Sequence, residues 1–123
     1  MKKIFIVDDN DTNLLIAKNV LNDTYETYAM PSAERMFKLL EKITPDLILL
    51  DVYMPEMDGF EAIKALKSNE RLKTIPVVFL TANKDPESEI QGLEMGAIDY
   101  IYKPFFPPVL MKRIETHIEN KRA

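Results

Sequence analysis

Apolar residues in this chain gather in short runs, and the stretches between them carry apolar positions at helical spacing. The continuous runs are IFIV at 4–7, LILL at 47–50 and VVFL at 77–80, joined by IDYIY at 98–102 and a weaker YETYAM at 25–30. Short unbroken runs suit strands covered on both faces, where neither side of the pleat meets water. Between them, Ala33, Met36, Phe37 and Leu40 follow the i, i+3, i+4, i+7 pattern after Ser32, a good helix cap. Asp11 reads as the cap of a helix beginning near Thr12, and Asp85 before Pro86 as another cap with proline in the first turn. Gly96 reads as the residue that closes that helix. Pro107 and Pro108 suit the opening of a last helix with Leu110, Ile114 and Ile118 on its inner face.

The pattern predicts five strands alternating with five helices, an α/β fold with a mainly parallel sheet, right-handed crossovers and helices on both faces. Ligands of such sheets gather outside the carboxyl ends of the strands. The residues expected there are Asp8 and Asp9 after the first strand, Asp51 after the third, Thr81 after the fourth and Lys103 after the fifth.

With 123 residues and 46% hydrophobic composition, residues 1–123 are expected to form one domain. A net charge of -4 and a pI near 5.0 give no support for nucleic-acid binding through a basic surface. The absence of cysteine excludes disulfides, thiolate metal sites and thiol nucleophiles. The opening MKKIFIVDD lacks the apolar centre of a signal peptide, and no stretch approaches membrane-spanning length, so the expectation is a cytoplasmic protein.

The run FIVDDND places Asp8, Asp9 and Asp11 within four positions at a strand end, where like charges repel. Asp8, Asp9 and Asp51 converging on one rim would raise one another's pKa values unless a cation neutralised them, and hard oxygen donors of this kind suit Mg²⁺. Asp51, at the tip of the most apolar run, is the candidate nucleophile for an incoming phosphoryl group. The loop after it, with Pro55 and Gly59, fits a tight chain reversal. Thr81 can donate a hydroxyl to one phosphoryl oxygen and Lys103 can pair with another. Each residue alone reads as an ordinary turn, cap or surface residue; their joint placement at strand ends carries the chemistry. His117 reads as a partly exposed helical residue away from that rim, and the Met residues at 30, 36, 54, 57, 95 and 111 as packing.

VDD at 7–9, DVYMPEMDGFE at 51–61, LTA at 80–82 and YIYKPF at 100–105 make nearly the whole chain resemble the chemotaxis-receiver-like receiver domains of two-component response regulators. The resemblance implies a flavodoxin-like sheet in the order 2-1-3-4-5 and phosphorylation of Asp51 by a sensor histidine kinase or a phosphotransfer protein. It also implies Mg²⁺ held by Asp8, Asp9, Asp51 and the backbone carbonyl of Tyr53. Thr81 and Lys103 would contact the phosphoryl group, and Tyr100 would swing inward when Thr81 is drawn to it. That motion would alter the face made by the fourth helix, fifth strand and fifth helix, where an output domain, a downstream protein or a second phosphorylated copy would bind. Asn83 and Tyr53 stand where the family varies and would tune water access. Such a domain catalyses only the uptake and hydrolysis of its own phosphoryl group and touches neither nucleic acid nor membrane.

Two other readings share parts of this pattern. DDNDT at 8–12 nearly matches the D-x-D-x-T signature of haloacid-dehalogenase-type phosphatases, but Asn10 stands where a general acid is needed. A flavodoxin-like cofactor binder needs a hydroxyl- and glycine-rich phosphate loop where this chain has carboxylates. The ending IETHIENKRA lacks a helix-stop residue, so the last helix is expected to continue in a longer parent carrying an output domain; a stand-alone receiver is the competing expectation.

Overall fold

The computed structural model describes residues 1–82 and 84–120. In chain order the elements are β1 (Lys3–Val7), α1 (Asp11–Leu21), β2 (Glu26–Met30), α2 (Ala33–Leu40), β3 (Leu47–Asp51), α3 (Gly59–Lys67), β4 (Val77–Thr81), α4 (Pro86–Glu94), β5 (Asp99–Tyr102) and α5 (Pro107–Asn120). All strand pairs are parallel, and the sheet order is β2-β1-β3-β4-β5. The strands lie within a residue of the predicted runs, with Asp51 and Thr81 as the last strand residues rather than the first loop residues.

Alternation along the strands divides the core. Ile4, Ile6, Leu47, Leu49, Val78, Leu80 and Ile101 pack with Leu14, Ala17 and Leu21 of α1 and with Leu110, Ile114 and Ile118 of α5. Phe5, Val7, Ile48, Leu50, Val77, Phe79 and Tyr100 pack on the opposite face with Met36 and Leu40 of α2 and Ile63 and Leu66 of α3. Burial on both faces is why β1, β3 and β4 read as unbroken apolar runs. A large aliphatic side chain buried in this way contributes about 1.5–3 kcal/mol. Met30, Met36 and Met54 are buried in the second cluster, and Met95 packs against it; Met111 packs against the first, while Met57 is exposed.

The helix starts follow the capping residues with one correction. Ser32 accepts from the Arg35 N–H and Asp85 from the Glu87 N–H, while Gly96, at φ 115°, follows α4 in the left-handed region. The cap of α1 is Asn10, not Asp11: the Asn10 side chain accepts from the Asn13 N–H at 3.0 Å. The reason lies one turn earlier, where the Asp8 carboxylate accepts the Asn10 N–H at 2.9 Å and holds Asn10 in extended geometry. Asp11 therefore begins the first helical turn, where its charge favours the helix dipole.

Candidate functional site at the carboxyl ends of the strands

Strand register brings the acids together. Val7 is level with Leu50, so the residues that follow, Asp8 and Asp51, leave the sheet side by side. Thr81 is level with Tyr102, and the Lys103 N–H donates to the Thr81 carbonyl at 2.9 Å, which anchors Lys103 at the same rim. Asp8 and Asp51 are 0% and 4% exposed, and Thr81 is 2% exposed, whereas Asp9 is open to solvent.

Lys103 Nζ lies 2.7 Å from Asp8 Oδ2 and 3.3 Å from Asp51 Oδ1. One cation thus serves two buried carboxylates. Burial, then the Asp8 charge, pushes the Asp51 carboxyl from 3.8 up to about 7, a rise that the Lys103 ammonium only partly offsets. The Tyr53 N–H also donates to Asp51 Oδ1, at 3.3 Å.

The backbone beneath Asp51 is tightly held. Val52 N–H donates to the Leu80 carbonyl, and Gly59 N–H closes the following loop on the Val52 carbonyl. A Cβ on Gly59 would fall 2.6 Å from the Asp51 carbonyl oxygen and 2.8 Å from Val52 Cα, so only glycine lets α3 start this close to the acid. The left-handed residue of that reversal is Glu56, at φ 70°, which the sequence did not single out; Gly59 is there for close approach.

A metal fits this arrangement on the chemistry of its donors. Carboxylate oxygens of Asp8, Asp9 and Asp51 lie within 4.8 Å of one another, all of them hard ligands suited to Mg²⁺. Asp8 Oδ2 is fully buried and accepts no aligned hydrogen bond; Lys103 faces it as a point charge. A hollow of about 640 Å³ lies apart from these acids, between α2 and Pro55, Glu56 and Met57.

Tyr100 is turned inward on the α3 and α4 side of the sheet, shared with Phe79, and alternation along β4 gives Thr81 that same side. Its hydroxyl donates to the Ser88 carbonyl of α4 at 2.9 Å, and its ring lies 5.4 Å from that of Phe79. Burial and the nearby Glu89 carboxylate push its phenol up to about 12. His117 stands apart from the rim, half-buried, with Nε2 2.9 Å from Asp99 Oδ2. Asn83 lies outside the described residues. Sequence reasoning missed the capping role of Asn10, at the position a dehalogenase-type acid would need, and missed Gly92, which borders Tyr100.

The sequence pattern of the family described as "Response regulator receiver domain" matches residues 4–115. Among curated proteins, the chain is 42% identical over 120 residues to a Vibrio cholerae serotype O1 protein named "Probable cyclic di-GMP phosphodiesterase", covering 98% of this chain and 27% of that one. It is 36% identical over 115 residues to the alkaline phosphatase synthesis transcriptional regulatory protein PhoP of Bacillus subtilis, covering 93% of this chain and 47% of that one. The chain thus spans about half or less of the length of these relatives. Among solved structures, Vibrio cholerae chemotaxis protein CheY4 superposes with a TM-score of 0.89 at 32% identity, covering 94% and 98% of the two chains. The receiver domain of a signal transduction histidine kinase from Syntrophus aciditrophicus gives 0.88 at 36% identity, covering 98% and 92%.

Proposed function

The chain belongs to the response regulator receiver domain family, and from that premise we propose that residues 1–123 form one receiver domain whose phosphoryl acceptor is Asp51. The family takes phosphoryl groups from histidine kinases and binds Mg²⁺ at an acidic pocket. It is not in general a family of turnover catalysts. The observation that carries the assignment is the pair of buried acids, Asp8 and Asp51, bridged by Lys103 at 2.7 and 3.3 Å.

An Asp51 carboxylate oxygen attacks the phosphorus of a phosphohistidine on a kinase or phosphotransfer protein. The new O–P bond forms as the P–N bond breaks, and the imidazole leaves with the electron pair and takes up a proton. Lys103, already beside Asp51, balances charge on the transferred group, and the Thr81 hydroxyl donates to one of its oxygens. Asp8, Asp9, Asp51 and the Tyr53 carbonyl would hold Mg²⁺, which when bound neutralises the carboxylates and the phosphoryl oxygens. Water attacking the phosphorus of the acyl phosphate would form inorganic phosphate as the O–P bond to Asp51 breaks, which restores the Asp51 carboxylate, with Tyr53 tuning the access of that water.

Drawing Thr81 toward the phosphoryl group biases Tyr100 and hence the face made by α4, β5 and α5. That face carries exposed Ile90, Leu93, Phe106 and Val109, which suits a protein partner: an output domain of a longer cytoplasmic parent, a downstream protein, or a second phosphorylated copy. Direct contact with nucleic acid or membrane has no part in this reading. Among the described residues no helix is long and apolar enough to cross a membrane.

Intact-mass spectrometry after incubation with acetyl phosphate tests the assignment. One phosphoryl adduct that needs both Mg²⁺ and Asp51, and disappears in Asp51→Asn, is the expected result. An adduct indifferent to Asp51, or none on the native chain, overturns it. Sedimentation with and without a phosphoryl mimic tests the dimer.

A further inference from the structure

Gly92 lies in the last turn of α4, and it is the one buried residue of that helix. Glycine is the poorest helix former after proline, so a helical position three residues before the cap holds it against local preference. The reason is spatial. A Cβ at residue 92 would fall 1.9 Å from Tyr100 Oη and 2.9 Å from both Tyr100 Cζ and Phe79 Cε2. Phe79 has little room to yield, since it is fully buried and the Phe60 ring lies 5.5 Å from it. Tyr100 does have somewhere to go. A shallow hollow of about 210 Å³ opens beside it, lined in part by Lys84, Tyr102, Phe106, Val109 and Arg113.

We propose that Gly92 is the positioning residue for Tyr100: its missing side chain admits the ring to the inward seat, and a methyl group there turns the ring out into the hollow. The consequence for the α4, β5 and α5 face rests on the receiver reading above. The position of the ring does not depend on it.

The ring is read directly by labelling tyrosine at ¹³Cε in the full chain and assigning the Tyr100 signal by its loss in Tyr100→Phe. With a soluble gadolinium chelate, the native Tyr100 signal is expected to be protected and that of Gly92→Ala to relax several-fold faster, at the rate of an exposed tyrosine. Equal relaxation in native and variant overturns the proposal, because the helix has then absorbed the methyl group without moving the ring. If Gly92→Ala fails to fold, Gly92→Ala with Tyr100→Ala decides. Restored cooperative melting supports the proposal, and continued failure overturns it. Acetyl phosphate labelling of the same samples keeps the two readings apart: no Asp51 adduct on the native chain defeats the acceptor assignment, while the relaxation data still decide the role of Gly92.

Discussion

Two groups of ionised side chains flank this sheet, and they are built on opposite plans. At the β5 edge, both Asp99 carboxylate oxygens accept from Arg113 Nη1, at 3.0 and 3.1 Å, with His117 Nε2 at 2.9 Å and the Tyr100 N–H at 2.8 Å. Burial alone would raise its carboxyl, but the hydrogen bonds from His117, the Tyr100 N–H and Arg113 outweigh it and hold it below the ordinary value. At the rim, Asp8 and Asp51 share Lys103, and Asp51 is pushed up to about 7. An acid with more partners than charge serves to fasten α5 to β5. Acids with less counter-charge than they need leave room for a further cation, which is the environment the proposed chemistry at Asp51 would use.

Removing the shared cation should show the difference most strongly. Lys103→Ala leaves two buried carboxylates unopposed and is expected to cost about 3–5 kcal/mol in urea melts with chelator present. Much of that loss should return with Mg²⁺. If Lys103→Ala melts like the native chain, the rim is not under the strain described.

Mg²⁺ itself should stabilise the native chain by about 2.7 kcal/mol at a hundred times its dissociation constant. Far less is expected in Asp51→Asn, which calorimetry with a metal titration would register.

Without metal, Asp51→Asn should raise stability by about 2 kcal/mol at pH 8, a part of what a rise from 3.8 to about 7 represents. The sign follows from the raised value. The folded state holds the Asp51 proton more tightly, so Asp51's favourable share is complete below its unfolded value and is lost as pH rises through about 7. The gain from Asp51→Asn should therefore shrink toward zero as pH falls to 4; a gain that is flat with pH would point to some other cause.

The smallest effect belongs to the satisfied cluster. Arg113 is half-exposed, so Asp99→Asn should cost about 1 kcal/mol or less at neutral pH. Because the Asp99 carboxyl is held low, its contribution is present above its unfolded value and is lost as pH falls through the folded one. Equal losses from Asp99→Asn and Lys103→Ala would erase the distinction between the two clusters.

Much of the site was legible in the sequence because parallel strands announce their own ends. An apolar run that stops at Asp8 or Asp51 leaves the acid at the carboxyl edge, and alternation tells which face it leaves from. The cap of α1 was misread by one residue because Asn10 and Asp11 are both good caps. Only the hydrogen bond from the Asn10 N–H to Asp8 selects between them, and that depends on where β1 ends in space. Gly92 was invisible for a similar reason: a glycine in a helix is a local weakness until the residue opposite it is known.

The sequence by itself determined the order and length of the elements, the parallel class of the sheet and the residue types at its active edge. Those follow from periodicities of two and 3.6, which act over a few neighbouring residues. Only the tertiary structure decided that one lysine bridges two acids 43 positions apart, that Gly59 lets a helix start against the carbonyl of Asp51, and that Gly92 holds a seat for Tyr100. Register between strands and the approach of a helix to a ring are set by packing across the whole core, and no local pattern carries them.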